Sequence, residues 1–164
     1  MKVVFLDFDG VLNNYPFINA EESLNRVLPV REWEKAQFDP ININNINRVI
    51  ESIADIKFVI SSSWRYGMTV FKLKTLLKSV GFLGNIIDRT STDQKYYKDV
   101  PCRRDRQIFD WVDEHSEVSQ FVVVDDSNLF ESYEESVRES IFLRTDPNVG
   151  FSDVDSIRLI SMLS

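Results

Sequence analysis

Two apolar runs of strand length end in acidic residues. Residues 3–6 lead into Asp7 and Asp9, and a second run, residues 121–124, leads into two further aspartates. Ligands of an open parallel sheet bind at the carboxyl ends of its strands, so these carboxylates are expected to meet at one edge. Their mutual repulsion calls for a bound cation, and carboxylate oxygens favour magnesium. The pattern therefore predicts a Mg²⁺ site formed by Asp7, Asp9, Asp125 and Asp126.

The acidic motif at residues 7–10 is, taken alone, also compatible with a solvated turn. A helix-loop-helix calcium site is disfavoured, because that loop would need an oxygen ligand where Val11 stands and a glutamate where Ile18 stands. The second acidic strand end makes separate exposed carboxylates the weaker interpretation.

Groups suited to phosphate binding occur in two further segments. Residues 58–60 form a strand candidate that leads into Ser61 and Ser62, whose hydroxyl groups and backbone amides could hold phosphate oxygens. An arginine-rich segment at residues 103–106 precedes the second acidic strand, and a guanidinium there could bind phosphate through two hydrogen bonds. An ordinary loop and a solvated helix start remain open for these segments.

Apolar runs alternate with helical spacing along the chain. This order predicts an α/β domain with a largely parallel sheet and helices on both faces. Helices are expected after Pro40, before Gly81 and around Trp111, and a last one is expected to begin near Asp153, which would cap it. Its buried side chains would be Ile157, Ile160 and Leu163. Five strands are expected, at residues 3–6, 58–60, 85–87, 121–124 and 141–143.

Length and charge restrict the domain organisation and the partners. The chain has 164 residues, which predicts a single domain over residues 1–164. Residues 13–38, with Pro16 and Pro29, are expected to form a small flap or cap after the first strand. The net charge of -7 excludes a generally basic nucleic-acid-binding surface, although a local basic patch is compatible with it.

The content of cysteine and histidine excludes other kinds of site. Cys102 and His115 are each the single residue of their type, so the chain cannot form an internal disulfide or a Cys/His zinc site. No apolar run approaches the roughly 20 residues needed to cross a bilayer. We therefore expect a cytoplasmic protein without membrane association.

Four segments together resemble the motifs of the haloacid dehalogenase (HAD) superfamily. The first motif corresponds to residues 7–11, the second to Ser61 and the fourth to Asp125 with Asp126. The third motif usually carries a lysine, and we place it at Arg104. Arg103 and Lys95 remain alternatives for that position, and either aspartate of the fourth motif could be the direct metal ligand.

A narrower resemblance extends over nearly the whole chain. Several segments look like the HAD domain of Swiss Army Knife RNA repair proteins, namely residues 5–13, 62–65, 104–108, 125–126 and 146–151. The superfamily resemblance implies a three-layer Rossmann-like fold with a five-stranded sheet in the order 5-4-1-2-3.

The resemblance also implies a reaction through an aspartyl-phosphate. Asp7 would attack the phosphorus atom, and Asp9 would protonate the leaving oxygen and later deprotonate a water molecule. Mg²⁺ would contact Asp7, the backbone carbonyl of Asp9, and Asp125 or Asp126. The groups implied to bind phosphate oxygens are Ser61, Ser62 and Arg104.

These features predict a magnesium-dependent phosphomonoesterase. Nucleic-acid ends or nucleotides are the expected substrates. The expected partner is a phosphorylated small molecule or a nucleic-acid terminus, and an association with RNA repair enzymes is also expected. Trp64 and Arg65 follow the serines and could line the pocket or stack on a base, with a core position as the alternative. Two other classes stay open: a noncatalytic phosphate-sensing or partner-binding domain, and a metal-dependent nuclease, which Ser61 and Arg104 fit less naturally.

Overall fold

The centre of the protein is a five-stranded parallel sheet. A computed structural model describes residues 1–24, 28–93 and 104–164. The strand order is β3-β2-β1-β4-β5, and every neighbouring pair is parallel. Read from the other edge, this is the predicted order 5-4-1-2-3, and the predicted Rossmann-like α/β class is confirmed. The strands are β1 (Lys2–Leu6), β2 (Ile56–Ile60), β3 (Asn85–Arg89), β4 (Gln120–Asp125) and β5 (Phe142–Arg144).

Helices connect the strands and cover both faces of the sheet. The three helices expected from apolar spacing are present as α3, α4 and α5. A 3₁₀ turn, Ser63–Arg65, follows β2 directly. None of the helices in the described ranges is long and apolar enough to cross a membrane. The helices are α1 (Tyr15–Ser23), α2 (Val30–Ala36), α3 (Pro40–Ser52), α4 (Val70–Ser79), α5 (Arg104–Asp113), α6 (Glu135–Ile141) and α7 (Asp153–Leu163).

The sheet separates two apolar cores, because successive side chains of a strand point to opposite faces. Val4 and Leu6 of β1 pack in one core with residues of α3, α4 and α7. Val3 and Phe5 pack in the other core, where the rings of Phe5 and Trp111 are nearly perpendicular with their centroids 5.4 Å apart. Strand β1 is therefore covered on both sides, and packing fixes the position of its carboxyl end.

The register of the sheet aligns the polar residues that follow the strands. Leu6 of β1 pairs with Ile60 of β2 and with Val124 of β4. Backbone hydrogen bonds continue each ladder by one residue, from Ser61 N to Leu6 O and from Asp7 N to Val124 O, both at 3.1 Å. The residues that form this row at the carboxyl edge are Ser61, Asp7 and Asp125.

The segment after β1, predicted as a flap at residues 13–38, contains α1 and α2. Asn14 caps α1 by accepting a hydrogen bond from Phe17 N at 2.9 Å, and Asp39 caps α3 by accepting one from Ile41 N at 2.8 Å. The Asn14 amide also donates to Asp39 Oδ2 at 2.7 Å. This bond closes the base of the insert, so the two helices leave and rejoin the domain at one point.

The last helix differs from its prediction in its cap and in part of its buried face. Ser152 caps α7 in place of Asp153: its hydroxyl accepts from Asp155 N at 3.2 Å, and the Asp155 carboxylate accepts from Ser152 N at 2.9 Å. Ile157, predicted to be buried, is 69% exposed. It lies on the opposite side of the helix from the side chains that enter the core, because two residues turn a helix by more than half a circle. Those buried apolar side chains are Leu159 and Leu163.

Candidate active site

Three carboxylates from two strand ends lie together at the carboxyl edge of the sheet. Oxygen atoms of Asp7, Asp125 and Asp126 all lie within 4.8 Å of one another. Asp7 and Asp125 are buried, and Asp126 is half-buried. The structure thus brings together three of the four residues predicted as metal ligands, and Asp9 lies outside this group.

The turn after Asp7 depends on a glycine. Gly10 has a φ of +71°, a conformation that residues with a Cβ rarely adopt. A Cβ at this position would lie only 2.5 Å from Asp126 Oδ2. The missing side chain therefore permits both the sharp turn and the close approach of Asp126 to the first strand end.

Arg104 joins the two buried carboxylates. Its Nη1 donates to Asp7 Oδ2 at 2.6 Å and also to Asp125 Oδ2. Burial alone lowers the pKa of Arg104, but the negative charges of Asp7 and Asp125 more than reverse this effect and raise it. Arg104, which we placed at the third motif, thus lies where a cation contacts both buried carboxylates. The alternatives Arg103 and Lys95 lie outside the described residues, as does Cys102.

Burial and mutual repulsion make it costly for the three carboxylates to be ionised together, and Arg104 offsets only part of that cost. Removal from water raises the pKa of Asp125 to about 6, and the neighbouring Asp7 adds to the shift, despite the opposing effect of Arg104. The same two causes raise the pKa of Asp126. A divalent cation would relieve this repulsion, and three clustered carboxylates are hard oxygen ligands that fit Mg²⁺. The donor set is therefore suited to the predicted metal.

Asp9 points to different partners. One carboxylate oxygen accepts a hydrogen bond from Asn13 Nδ2 at 3.1 Å, and the other accepts one from Trp64 Nε1 at 3.0 Å. The Trp64 ring packs against Phe8 and Phe38 at centroid distances of 5.8 and 5.4 Å. Trp64 therefore holds Asp9 in this structure. Its predicted contact with substrate stays a prediction, as does the predicted metal contact of the Asp9 carbonyl.

The two predicted phosphate-binding serines differ in how their hydroxyls are used. Ser62 Oγ accepts a hydrogen bond from Trp64 N at 3.3 Å, which caps the 3₁₀ turn. Ser61 is fully buried, and its Oγ has no hydrogen-bond partner in the described part of the chain. A buried hydroxyl without a partner is costly, so Ser61 retains a donor for a ligand at this edge.

Arg65 is buried, which corresponds to the core position given above as the alternative to a substrate contact. Its side chain is 1% exposed, and Nη1 donates to the backbone oxygens of Ser61 and Ser62 at 2.7 and 2.8 Å. Nη2 donates to Gln107 Oε1 at 2.5 Å. The guanidinium donates hydrogen bonds to carbonyl groups of the loop after β2. These bonds hold it away from the surface.

Comparison with known proteins agrees with this geometry. The HAD domain in Swiss Army Knife RNA repair proteins matches residues 3–156. The chain belongs to this HAD domain family. A search of curated proteins and a search of solved structures each found no match. The family places the protein among HAD-type hydrolases, and its match includes both strand ends that carry the acidic cluster.

A loop near the end of the HAD domain supports the turn that carries Asp7, and its role was not predicted from the sequence. The hydroxyl of Thr145 donates to Gly10 O at 2.8 Å, and Phe151 N donates to Val11 O at 2.7 Å. Asn42 from α3 holds the same loop by donating to Phe151 O at 3.1 Å. The resemblance at residues 146–151 marked this segment, but nothing in its sequence indicated which residues it would touch.

Proposed function

We propose that this HAD domain is a magnesium-dependent phosphomonoester hydrolase. The observation that carries the proposal is the contact of Arg104 with both Asp7 and Asp125, beside Asp126. The Ser61 hydroxyl lies at the same sheet edge and has no partner among the residues that the structure describes. A nucleophilic carboxylate, a fixed cation and a free donor at one edge are what phosphoryl transfer requires.

In the first step an oxygen of Asp7 forms a bond to phosphorus while the bond from phosphorus to the ester oxygen breaks. Asp9 gives its proton to the departing oxygen, which leaves as an alcohol. Mg²⁺ held by the carboxylates of Asp7, Asp125 and Asp126 would offset the negative charge of the phosphoryl oxygens. Arg104 and the Ser61 hydroxyl would donate to those oxygens as their charge grows.

In the second step Asp9 accepts a proton from water, and the water oxygen attacks the phosphorus of the aspartyl-phosphate. The bond to Asp7 breaks, inorganic phosphate leaves, and both carboxyl groups return to their starting states. Asp9 must release Trp64 or Asn13 when it turns toward the ester, so these two donors would set its resting orientation.

The proposed substrates are nucleic-acid ends or nucleotides, and the proposed partners are RNA repair enzymes. The family description supports this choice, since the matching domain occurs in RNA repair proteins. Comparison of 3′-phosphorylated oligonucleotides, 5′-phosphorylated oligonucleotides, nucleotides and sugar phosphates, each with Mg²⁺, would define the substrate.

Asp7→Asn tests the reaction directly. This variant keeps the size of the side chain and removes the nucleophile, so we expect hydrolysis of an aryl phosphate to fall at least about ten thousandfold. Chelation of Mg²⁺ should abolish the activity of the unmodified protein, and circular dichroism should show that the variant is folded.

Three results would contradict the proposal. Full activity of Asp7→Asn would exclude Asp7 as the nucleophile. Absence of hydrolysis across the whole substrate set would favour a phosphate-sensing module, and cleavage of unphosphorylated nucleic acid would favour a nuclease.

A further inference from the structure

A cavity of about 620 Å³ opens at the β5 edge of the sheet, among α6, α7, β5 and the loop after β4. Three arginines from three elements line it: Arg138 of α6, Arg144 of β5 and Arg158 of α7. Two lining residues, Glu131 and Glu139, are acidic. Three guanidinium groups around one cavity contrast with the net charge of -7 of the chain. The cavity is thus a local basic site on an acidic protein.

The arginines of this cavity are only weakly engaged by the protein. Arg158 has no hydrogen-bond or ion-pair partner for its side chain among the described residues. Arg138 lies 3.9 Å from Glu135 in a partly exposed pair, a contact that contributes little. Arg144 uses Nε to donate to a backbone oxygen at 3.0 Å. Most of the guanidinium donors therefore remain available to an anion.

The sheet connects this cavity to the acidic cluster. Arg144 of β5 pairs in register with Asp125 of β4, and the backbone oxygen that it binds belongs to Asp126. Asp7 directly follows β1, which lies two strand spacings, or about 10 Å, from β5. A ligand with one phosphate at Asp7 could therefore place a second anionic group among the arginines.

We propose that this cavity is a second phosphate subsite, which binds a phosphodiester of the substrate next to the phosphate at Asp7. Guanidinium groups bind phosphate through paired hydrogen bonds and remain charged at all relevant pH values. The ligand class is a terminally phosphorylated single strand of nucleic acid. The inference rests on the proposed function, because it extends the same substrate from the acidic cluster into the cavity.

The test compares two substrates in one variant. Arg138→Gln combined with Arg158→Gln removes two positive charges from α6 and α7, and the control is Arg48→Gln on α3, outside the cavity. For an oligonucleotide with a terminal phosphate, we expect KM to rise about tenfold or more with little change in kcat. The slope of log affinity against log salt should become less steep by about one unit. Hydrolysis of an aryl phosphate, which has no second phosphate, should be unchanged.

Three results would overturn the subsite. The first is an unchanged KM for the oligonucleotide in the double variant. The second is an equal fall in kcat/KM on both substrates. The third is an equal rise in KM for the oligonucleotide in Arg48→Gln. In each case the unmodified protein still hydrolyses the aryl phosphate, so failure of the subsite is distinguishable from failure of the proposed function.

A binding measurement covers the case in which the protein hydrolyses neither substrate. Fluorescence anisotropy of a labelled, terminally phosphorylated single strand would be followed with the unmodified chain and with the double variant. Binding that weakens about tenfold in the double variant, but not in Arg48→Gln, would support the subsite without any catalysis. Absence of binding, or equal binding by all three proteins, would refute it.

Discussion

Arg65 and Arg104 are both largely withdrawn from solvent near the carboxyl edge of the sheet, but their partners have opposite character. Arg65 donates to neutral acceptors, chiefly the backbone oxygens of Ser61 and Ser62. Arg104 donates to two carboxylates, Asp7 and Asp125. The same side chain therefore serves as a loop support in one place and as the counter-ion of an acidic cluster in the other. The charge of the partners, and not the burial of the arginine, separates a structural role from a chemical one.

Arg65→Met should give the largest effect on stability. The change leaves buried carbonyl oxygens without donors, and we expect the free energy of unfolding to fall by about 4 kcal/mol. Urea denaturation would measure it, with Arg48→Met on the surface of α3 as the matched control. Mg²⁺ should not restore the loss, because the orphaned acceptors are neutral. A variant as stable as the control would show that Arg65 does not support the loop.

Arg104→Met should act mainly on the reaction. Loss of a donor that stabilises developing phosphoryl charge costs about 3 kcal/mol of transition-state stabilisation, so kcat/KM should fall a hundredfold or more. The metal-free variant should also lose stability, since Asp7 and Asp125 would then repel each other without a counter-ion. Here Mg²⁺ should restore stability, in contrast to Arg65→Met. Equal responses of the two variants to Mg²⁺ would remove the distinction between the two arginines.

Asp125 should make metal-free stability depend on pH. Its pKa in the folded protein is raised to about 6, so between about pH 4 and pH 6 the folded state holds a proton that the unfolded state has released. Stability from this group is therefore greatest at low pH and declines as pH rises to about 6, by up to about 3 kcal/mol. Above that range its contribution is constant.

Urea denaturation with a chelator, from pH 4 to pH 7.5, would measure this decline as the difference between the unmodified protein and Asp125→Asn. The amide cannot titrate, so the variant should lack this component of the pH dependence. Identical pH profiles for the two proteins would mean that Asp125 is ionised throughout.

Trp64→Phe should have the smallest effect. Phenylalanine keeps an aromatic ring against Phe8 and Phe38 but lacks the N–H that binds Asp9. We expect kcat to change by up to about tenfold, with a change in the pH profile of kcat, while the free energy of unfolding changes by less than about 1 kcal/mol. Trp64→Leu would separate the loss of the N–H from the loss of the aromatic ring. An unaltered pH profile would show that Trp64 does not position Asp9.

The main elements could be predicted because their signals are local. Residues 3–6 and 121–124 are uninterrupted apolar runs, and both lie within observed strands. Helix α4 was indicated by its own apolar side chains at helical spacing, and it ends just before Gly81. The buried face of α7 was harder to predict, because Ile157 and Leu159 are both apolar. Only packing against the rest of the domain decides which of them is buried.

The acidic residues of the candidate site could be predicted from the sequence, whereas the groups around them were harder to predict. Acidic residues at the ends of two buried strands of a parallel sheet must approach one edge, so the meeting of Asp7 and Asp125 followed from local pattern. The bond between Trp64 and Asp9 joins residues 55 positions apart, and that between Thr145 and Gly10 joins residues 135 apart. No local spacing specifies such pairs, and their distances depend on how loops close over the edge.

By itself, the sequence determined the α/β class, the acidic strand ends and the glycine turn, because strand length, residue type and backbone freedom are properties of short segments. The tertiary structure alone decided that Arg104 meets the carboxylates while Arg65 turns into the loop. In the extended chain, each of these arginines is available for an ion pair. Which acceptor each one reaches depends on the positions of three strand ends at once, and those positions exist only after the sheet has formed.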